Sequence, residues 1–148
     1  MSNKNENSAL VVIEDNEEDL YSIKRVFNSI GNQVPIIHYL NGELALQALK
    51  KMQTINYKAN IVILLDLNLP GLNGYDIAKK IRQMQKFAFT PIIMFTSSAA
   101  TADMELSYKS GINSFVKKHV NFQKFTESIV SIKTYWFETN LLPTIQKG

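Results

Sequence analysis

The chain has 148 residues, a length that favours one domain, since domains cluster near roughly 100–150 residues. Hydrophobic residues make up 45% and charged residues 20%, an ordinary globular balance that excludes a disordered chain. Cysteine is missing, which excludes a disulfide framework, a thiolate metal site and a cysteine nucleophile, while a net charge of +3 and a pI near 9.0 raise the question of an acidic partner such as nucleic acid.

Residues 1–8 are polar, lack the apolar stretch of a signal peptide and read as a flexible N-terminus. The apolar runs at 9–13 and 61–65 are far shorter than the roughly 20 residues of a membrane span, so the expectation is a soluble, cytoplasmic protein with no membrane partner. Short apolar runs then alternate with amphipathic segments. Strands are predicted at 10–13, 36–39, 61–65, 92–95 and 115–116, and the wholly apolar ones read as covered by helices on both faces. The first helix starts after the N-cap Asn16, turns Leu20, Ile23, Phe27 and Ile30 inward and stops at Gly31. The second follows Asn41 with Ala45, Ala48, Leu49 and Met52 inward, and the third follows Asn73 with Ile77, Ala78 and Ile81 inward. The fourth ends at Gly111, and the fifth carries Phe122, Phe125, Ile129, Ile132 and Trp136. Five βα units are too few for a closed barrel, which leaves an open, doubly wound α/β sandwich of three layers, flavodoxin-like, with residues 9–138 as the domain and 139–148 as a C-terminal extension.

In such sheets ligands bind beyond the C-terminal strand ends, where the winding reverses. Glu14 and Asp15 follow the first strand, Asp66 the third, Thr96 the fourth, and Lys117 and Lys118 the fifth. With strand order 2-1-3-4-5, Glu14, Asp15 and Asp66 converge between strands one and three, flanked by Thr96 and the lysines. Three crowded carboxylates need a cation, and an oxygen-only set without Cys or His suits hard Mg²⁺ rather than Zn²⁺. A carboxylate beside such an ion, with a hydroxyl and an ammonium nearby, can attack and hold a phosphoryl group.

The segments 11–16 (Val-Val-Ile-Glu-Asp-Asn), 64–74 (Leu-Leu-Asp-Leu-Asn-Leu-Pro-Gly-Leu-Asn-Gly), 91–97 (Pro-Ile-Ile-Met-Phe-Thr-Ser) and 115–118 (Phe-Val-Lys-Lys) resemble those of response-regulator receiver domains, the CheY-like fold. The resemblance spans residues 9–138, and the order of all four segments makes it specific. It implies that Asp66 is the phosphoacceptor, that Asp15 binds Mg²⁺ directly and Glu14 mostly through water, and that the Asn68 backbone carbonyl is a further ligand. It also implies that Thr96 grips a phosphoryl oxygen and that Phe115 is the aromatic that turns inward with it. Family spacing puts the partner lysine three residues after that aromatic, at Lys118 rather than Lys117, and strand alternation agrees. His119 stands where most receivers have proline after this lysine, often with a cis bond; a non-proline cis bond costs about 2.5–4 kcal/mol, which favours a trans bond and a differently shaped loop. The run 131–143 resembles the end of small stand-alone regulators that partner bacterial phytochromes and other sensor kinases.

Other residues have plainer readings. Glu17, Glu18 and Asp19 complement the dipole of the first helix and are not assigned to metal, and Gly74 reads as a close-packing or turn residue. His38 and His119 read as structural, and Phe122, Phe125 and Trp136 as core. Tyr135 or Trp136 could meet a partner, and a homodimer through the fourth helix, fifth strand and fifth helix is weighed evenly against a monomer.

The resemblance implies a non-enzymatic switch that takes its phosphoryl group from a sensor histidine kinase or hybrid kinase and passes the signal to an unknown downstream protein. The alternative is a degenerate receiver that binds partners without phosphorylation. An aspartyl phosphatase would favour a second acid two residues after the nucleophile, and Asp66-Leu67-Asn68 offers none. A DNA-binding activator would need a helix-turn-helix domain for which no residues remain. Residues 1–20 hold one Lys against six acids, and the excess positive charge is spread over the helices without a clustered stripe, so nucleic acid is not an expected partner.

Overall fold

The computed structural model describes residues 7–29 and 33–143. Five parallel strands form one sheet: β1 (Ser8–Ile13), β2 (Ile36–Tyr39), β3 (Asn60–Leu65), β4 (Ile92–Thr96) and β5 (Ser114–Lys117), in the order β2-β1-β3-β4-β5. The helices are α1 (Glu17–Ser29), α2 (Gly42–Thr54), α3 (Gly74–Arg82), α4 (Thr101–Lys109) and α5 (Phe122–Lys133). This is the predicted doubly wound sandwich. Its register aligns Ile13 with Leu65 and Leu65 with Met94, which brings the C-terminal ends of β1, β3 and β4 to one level.

Strand alternation divides the core in two. Val11, Ile13, Ile63, Leu65 and Met94 face Leu49 of α2 and Ile77 and Ile81 of α3, whereas Leu10, Val12, Val62, Leu64 and Phe95 face Ile23 and Phe27 of α1 and Ile129 and Ile132 of α5. The helices start where the sequence predicts because asparagine side chains accept the orphan N–H groups of their first turns. Asn16, Asn41, Asn73 and Asn121 each accept from the backbone N–H three residues on, at 2.9–3.0 Å. After α4, Gly111 adopts φ +103°, a left-handed stop that suits glycine.

Three features depart from the sequence reading. β1 begins at Ser8, and Asn7 joins the fold through its carbonyl, which accepts from the Asn60 N–H at 2.9 Å. Residues 1–6, Ile30 and Gly31 lie outside the described residues. Phe122 is not core: as the first residue of α5 it is 64% exposed. The fifth helix does not continue as a plain α-helix to Trp136 either, because residues Thr134–Thr139 form a π-helical turn. Ile132 and Phe137 are five residues apart, so the wider turn carries Phe137 into the core, edge-on to Phe27 at 5.9 Å, while Tyr135 stays half exposed and Trp136 packs partly against the core. Within that packing Lys133 is buried and donates to the Phe27 carbonyl at 2.8 Å.

Candidate functional site

The sheet edge where the winding reverses, between β1 and β3, carries the acidic residues. Glu14 leaves β1 buried, with its N–H donating to the Tyr39 carbonyl at 3.1 Å; Asp15 beside it is exposed. Asp66 leaves β3 half-buried, and its N–H donates to the Ile13 carbonyl at 3.1 Å. One ligand oxygen from each of Glu14, Asp15 and Asp66 lies within 4.8 Å of the others. The Asn68 N–H donates to Asp66 Oδ1 at 3.3 Å, which draws the loop carrying the Asn68 carbonyl over the same site.

Lys118 is the buried member of the lysine pair and Lys117 the exposed one, as strand alternation requires. Its backbone N–H donates to the Thr96 carbonyl at 2.7 Å, so β4 and β5 fix its start. Its Nζ donates to Glu14 Oε1, to Asp19 Oδ2 at 2.9 Å and to Asp66 Oδ2 at 3.1 Å. The Lys118–His119 bond is trans, as the missing proline predicts. Thr96 is fully buried at the end of β4, and its Oγ1 accepts from the Ser98 N–H at 3.3 Å. Phe115 pairs across the sheet with Met94 and packs half-buried against the α2–α3 side of the core. Glu14, Asp15, Asp66, Thr96 and Lys118, with the Asn68 loop, therefore share the C-terminal ends of four neighbouring strands, and Phe115 stands inside β5, two residues back from the level of Thr96.

One contributor escapes the sequence reading. Asp19 is more than a first-turn acid: three residues after the N-cap Asn16, its carboxylate reaches the Lys118 ammonium. His38, read from the sequence as structural, lies with Nε2 2.7 Å from the Glu14 carbonyl, to which it donates, tying edge strand β2 to the loop after β1.

The electrostatics call for a cation. Burial, and then the neighbouring Asp66 carboxyl, push Glu14 up to about 8. Burial opposes the charge on Lys118, yet Glu14 and then Asp66 outweigh it and raise its pKa above the usual lysine range. Three acidic side chains, those of Glu14, Asp19 and Asp66, accept from this one ammonium with Asp15 beside the first and last of them, and Glu14 Oε2 is buried without a hydrogen-bond partner. An unsatisfied buried oxygen in an all-oxygen set fits a hard divalent ion.

Known proteins resemble this chain in sequence and in fold. The chain is 26% identical over 134 residues to the probable methanogenesis regulatory protein FilR2 of Methanothrix harundinacea, covering 90% of this chain and 86% of that one. It is 26% identical over 135 residues to response regulator Rcp1 of Synechocystis, covering 90% and 92%. The solved Mn²⁺-bound form of Rcp1 superposes with a TM-score of 0.82 at 26% identity, over 93% of this chain and 99% of that one. Receiver domains bind Mg²⁺ or Mn²⁺ at an acidic pocket, and this chain has an acidic cluster of Glu14, Asp15 and Asp66. Residues 10–130 match the response regulator receiver domain, and the chain belongs to that family.

Proposed function

We propose that this receiver domain is a phosphorylation switch in which Asp66 accepts a phosphoryl group from a sensor histidine kinase or hybrid kinase. The observation that carries the reading is the convergence of the Glu14, Asp15 and Asp66 oxygens with the Lys118 ammonium at one strand-end site. A carboxylate oxygen of Asp66 attacks phosphorus, the P–N bond to the donor imidazole breaks, and its electron pair returns to the departing ring. Asp15, Glu14, the second oxygen of Asp66 and the Asn68 carbonyl would hold Mg²⁺, which supplies positive charge to the equatorial phosphoryl oxygens. The Lys118 Nζ–H now directed at Asp66 Oδ2 turns to a phosphoryl oxygen, and the Thr96 hydroxyl donates to another. Phe115, on the strand beside Thr96, follows that hydroxyl and shifts the population of the outer face.

The protein in this reading signals rather than turns over a substrate. Residues 9–138 act as the switching unit, in the cytoplasm, and the output is a changed affinity for a downstream protein or for a second copy through α4, β5 and α5. Among the described residues no helix is long and apolar enough to cross a membrane. The test is intact mass after incubation with Mg²⁺ and a small acyl phosphate. One added phosphoryl group in the wild type and none in Asp66→Asn is expected. A wild type without an adduct would overturn the reading in favour of a phosphorylation-independent binding module. Light scattering with and without the donor reads any change in self-association.

A further inference from the structure

We propose that Asp19 is a positioning residue for Lys118, the tether that keeps the ammonium aimed at the phosphoryl position while its other partners are taken up by the reaction. The inference rests on the phosphorylation-switch reading and extends it to a residue of α1.

An ammonium has three N–H donors, and Lys118 uses all of them on carboxylates: Glu14, Asp19 at 2.9 Å and Asp66 at 3.1 Å. Glu14 and Asp66 belong to the cluster that can hold a metal ion, and Asp19 does not. Once Glu14 turns to a cation and Asp66 becomes an acyl phosphate, those two carboxylates no longer hold the lysine as they did. Of the three carboxyl groups Asp19 is the one claimed by neither event, and besides it the ammonium keeps only the weaker contact with the Phe95 ring, 5.7 Å from its centroid, among the contacts described. Its own position is set by the Asn16 cap, whose Oδ1 accepts from the Asp19 N–H at 3.0 Å. The side chain therefore projects from a helix start already fixed beside the metal-ligand loop.

The loop after β5 adds a reason for such a tether. His119 follows Lys118 through a trans bond, and Val120 beyond it is fully exposed, so apolar burial of the neighbouring loop residue does not hold the lysine from behind. Asp19 instead ties the end of β5 to α1 across a sequence separation of 99 residues.

The experiment follows the rate of adduct formation at Asp66 by intact mass with Mg²⁺ and a small acyl phosphate. Asp19→Ala should slow the reaction about tenfold, and Asp19→Asn, which keeps an acceptor without the charge, should fall between it and the wild type. In a Lys118→Ala background Asp19→Ala should change the rate by less than about twofold, because its effect passes through the lysine. A second readout is the ¹⁵N-detected exchange of the Lys118 ammonium protons, which should be slow in the wild type and faster in Asp19→Asn with the backbone spectrum otherwise retained. A rate in Asp19→Ala within about twofold of the wild type, or an equal slowing with and without Lys118, overturns the proposal. Absence of any adduct in the wild type defeats the phosphorylation reading instead, and unchanged ammonium exchange in Asp19→Asn then defeats the tether as well.

Discussion

Gly74 is the first residue of α3, and its N–H donates to the Leu67 carbonyl at 2.8 Å, pinning the helix start against the loop that carries Asp66. A Cβ on Gly74 would lie 2.6 Å from the Asp66 carbonyl oxygen, 2.8 Å from Leu67 Cα and 3.0 Å from Met94 Sδ. Comfortable contacts between heavy atoms lie near 3.5–4.0 Å, so the overlap is about 1 Å, and its first two partners are backbone. Relief requires α3 to withdraw and lose the bond to Leu67, or the Asp66 peptide to move. Gly→Ala gains up to about 1 kcal/mol of helix propensity. Overpacking costs about 1–3 kcal/mol and the strained hydrogen bond about 0.5–1.5 kcal/mol, so a net loss of about 2 kcal/mol is expected. For a chain of this size that lowers Tm by about 4–8 °C. Gly42→Ala is the control: its Cβ would crowd Cδ1 and Cγ1 of the buried Ile77, side-chain rather than backbone atoms, and should cost less. Thermal unfolding of both variants and the rate of Asp66 phosphorylation in Gly74→Ala are the assays. A Gly74→Ala Tm within about 1 °C of the wild type, or a larger loss in Gly42→Ala, would refute the reasoning.

Arg82 Nε donates to the Gly111 carbonyl at 2.8 Å, and its two terminal nitrogens donate to the Thr90 carbonyl at 2.6 Å and to Asn113 Oδ1 at 2.8 Å. A lysine ammonium cannot span that fork, so Arg82→Lys should lose about 2 kcal/mol in urea unfolding, and a loss under about 0.5 kcal/mol would contradict the assignment. Lys133 caps the C-terminus of α1 through the Phe27 carbonyl, in a helix with no basic residue in its own last turn. Lys133→Met fills the space but removes that donor, and a loss of about 1–2 kcal/mol is expected; equal or greater stability would sink the cap. Glu14, raised from 4.5 to about 8, keeps a proton in the folded state that the unfolded chain releases, so stability in EDTA should fall as pH rises between these values. Mg²⁺ affinity should rise over the same window as that proton is displaced. Glu14→Gln should flatten the stability slope, and parallel urea melts of the two proteins at pH 5.5 and 8 are the check.

What could be read from the sequence is what acts within one turn or one strand. The Asn caps at 16, 41 and 73 and the apolar strands carry their structural meaning in adjacent residues, so element order and strand ends follow from them. Thr96 and Asp66 could be named because strand ends collect at the reversal of winding, whatever the helices between them contain. Lys133 could not: it stands directly before Thr134 with nothing in the neighbouring residues to mark it as buried, and the π-helical turn that brings Phe137 onto Phe27 lies against it. Phe122 fails in the opposite sense, since its spacing to Phe125 fits a helical stripe, but the first residue of the helix projects beyond the layer that α5 covers.

Asp19 shows where local and distant information part. In sequence it is one of three acids in a first turn, and the helix dipole accounts for all three alike. What separates Asp19 from Glu17 and Glu18 is its angle on the helix, together with a lysine that arrives from β5. The first of these is contained in the spacing and the second in the strand order. Neither alone makes a contact: β5 must lie beyond β4, and Lys118 rather than Lys117 must turn inward, before the third donor of the ammonium meets that carboxylate.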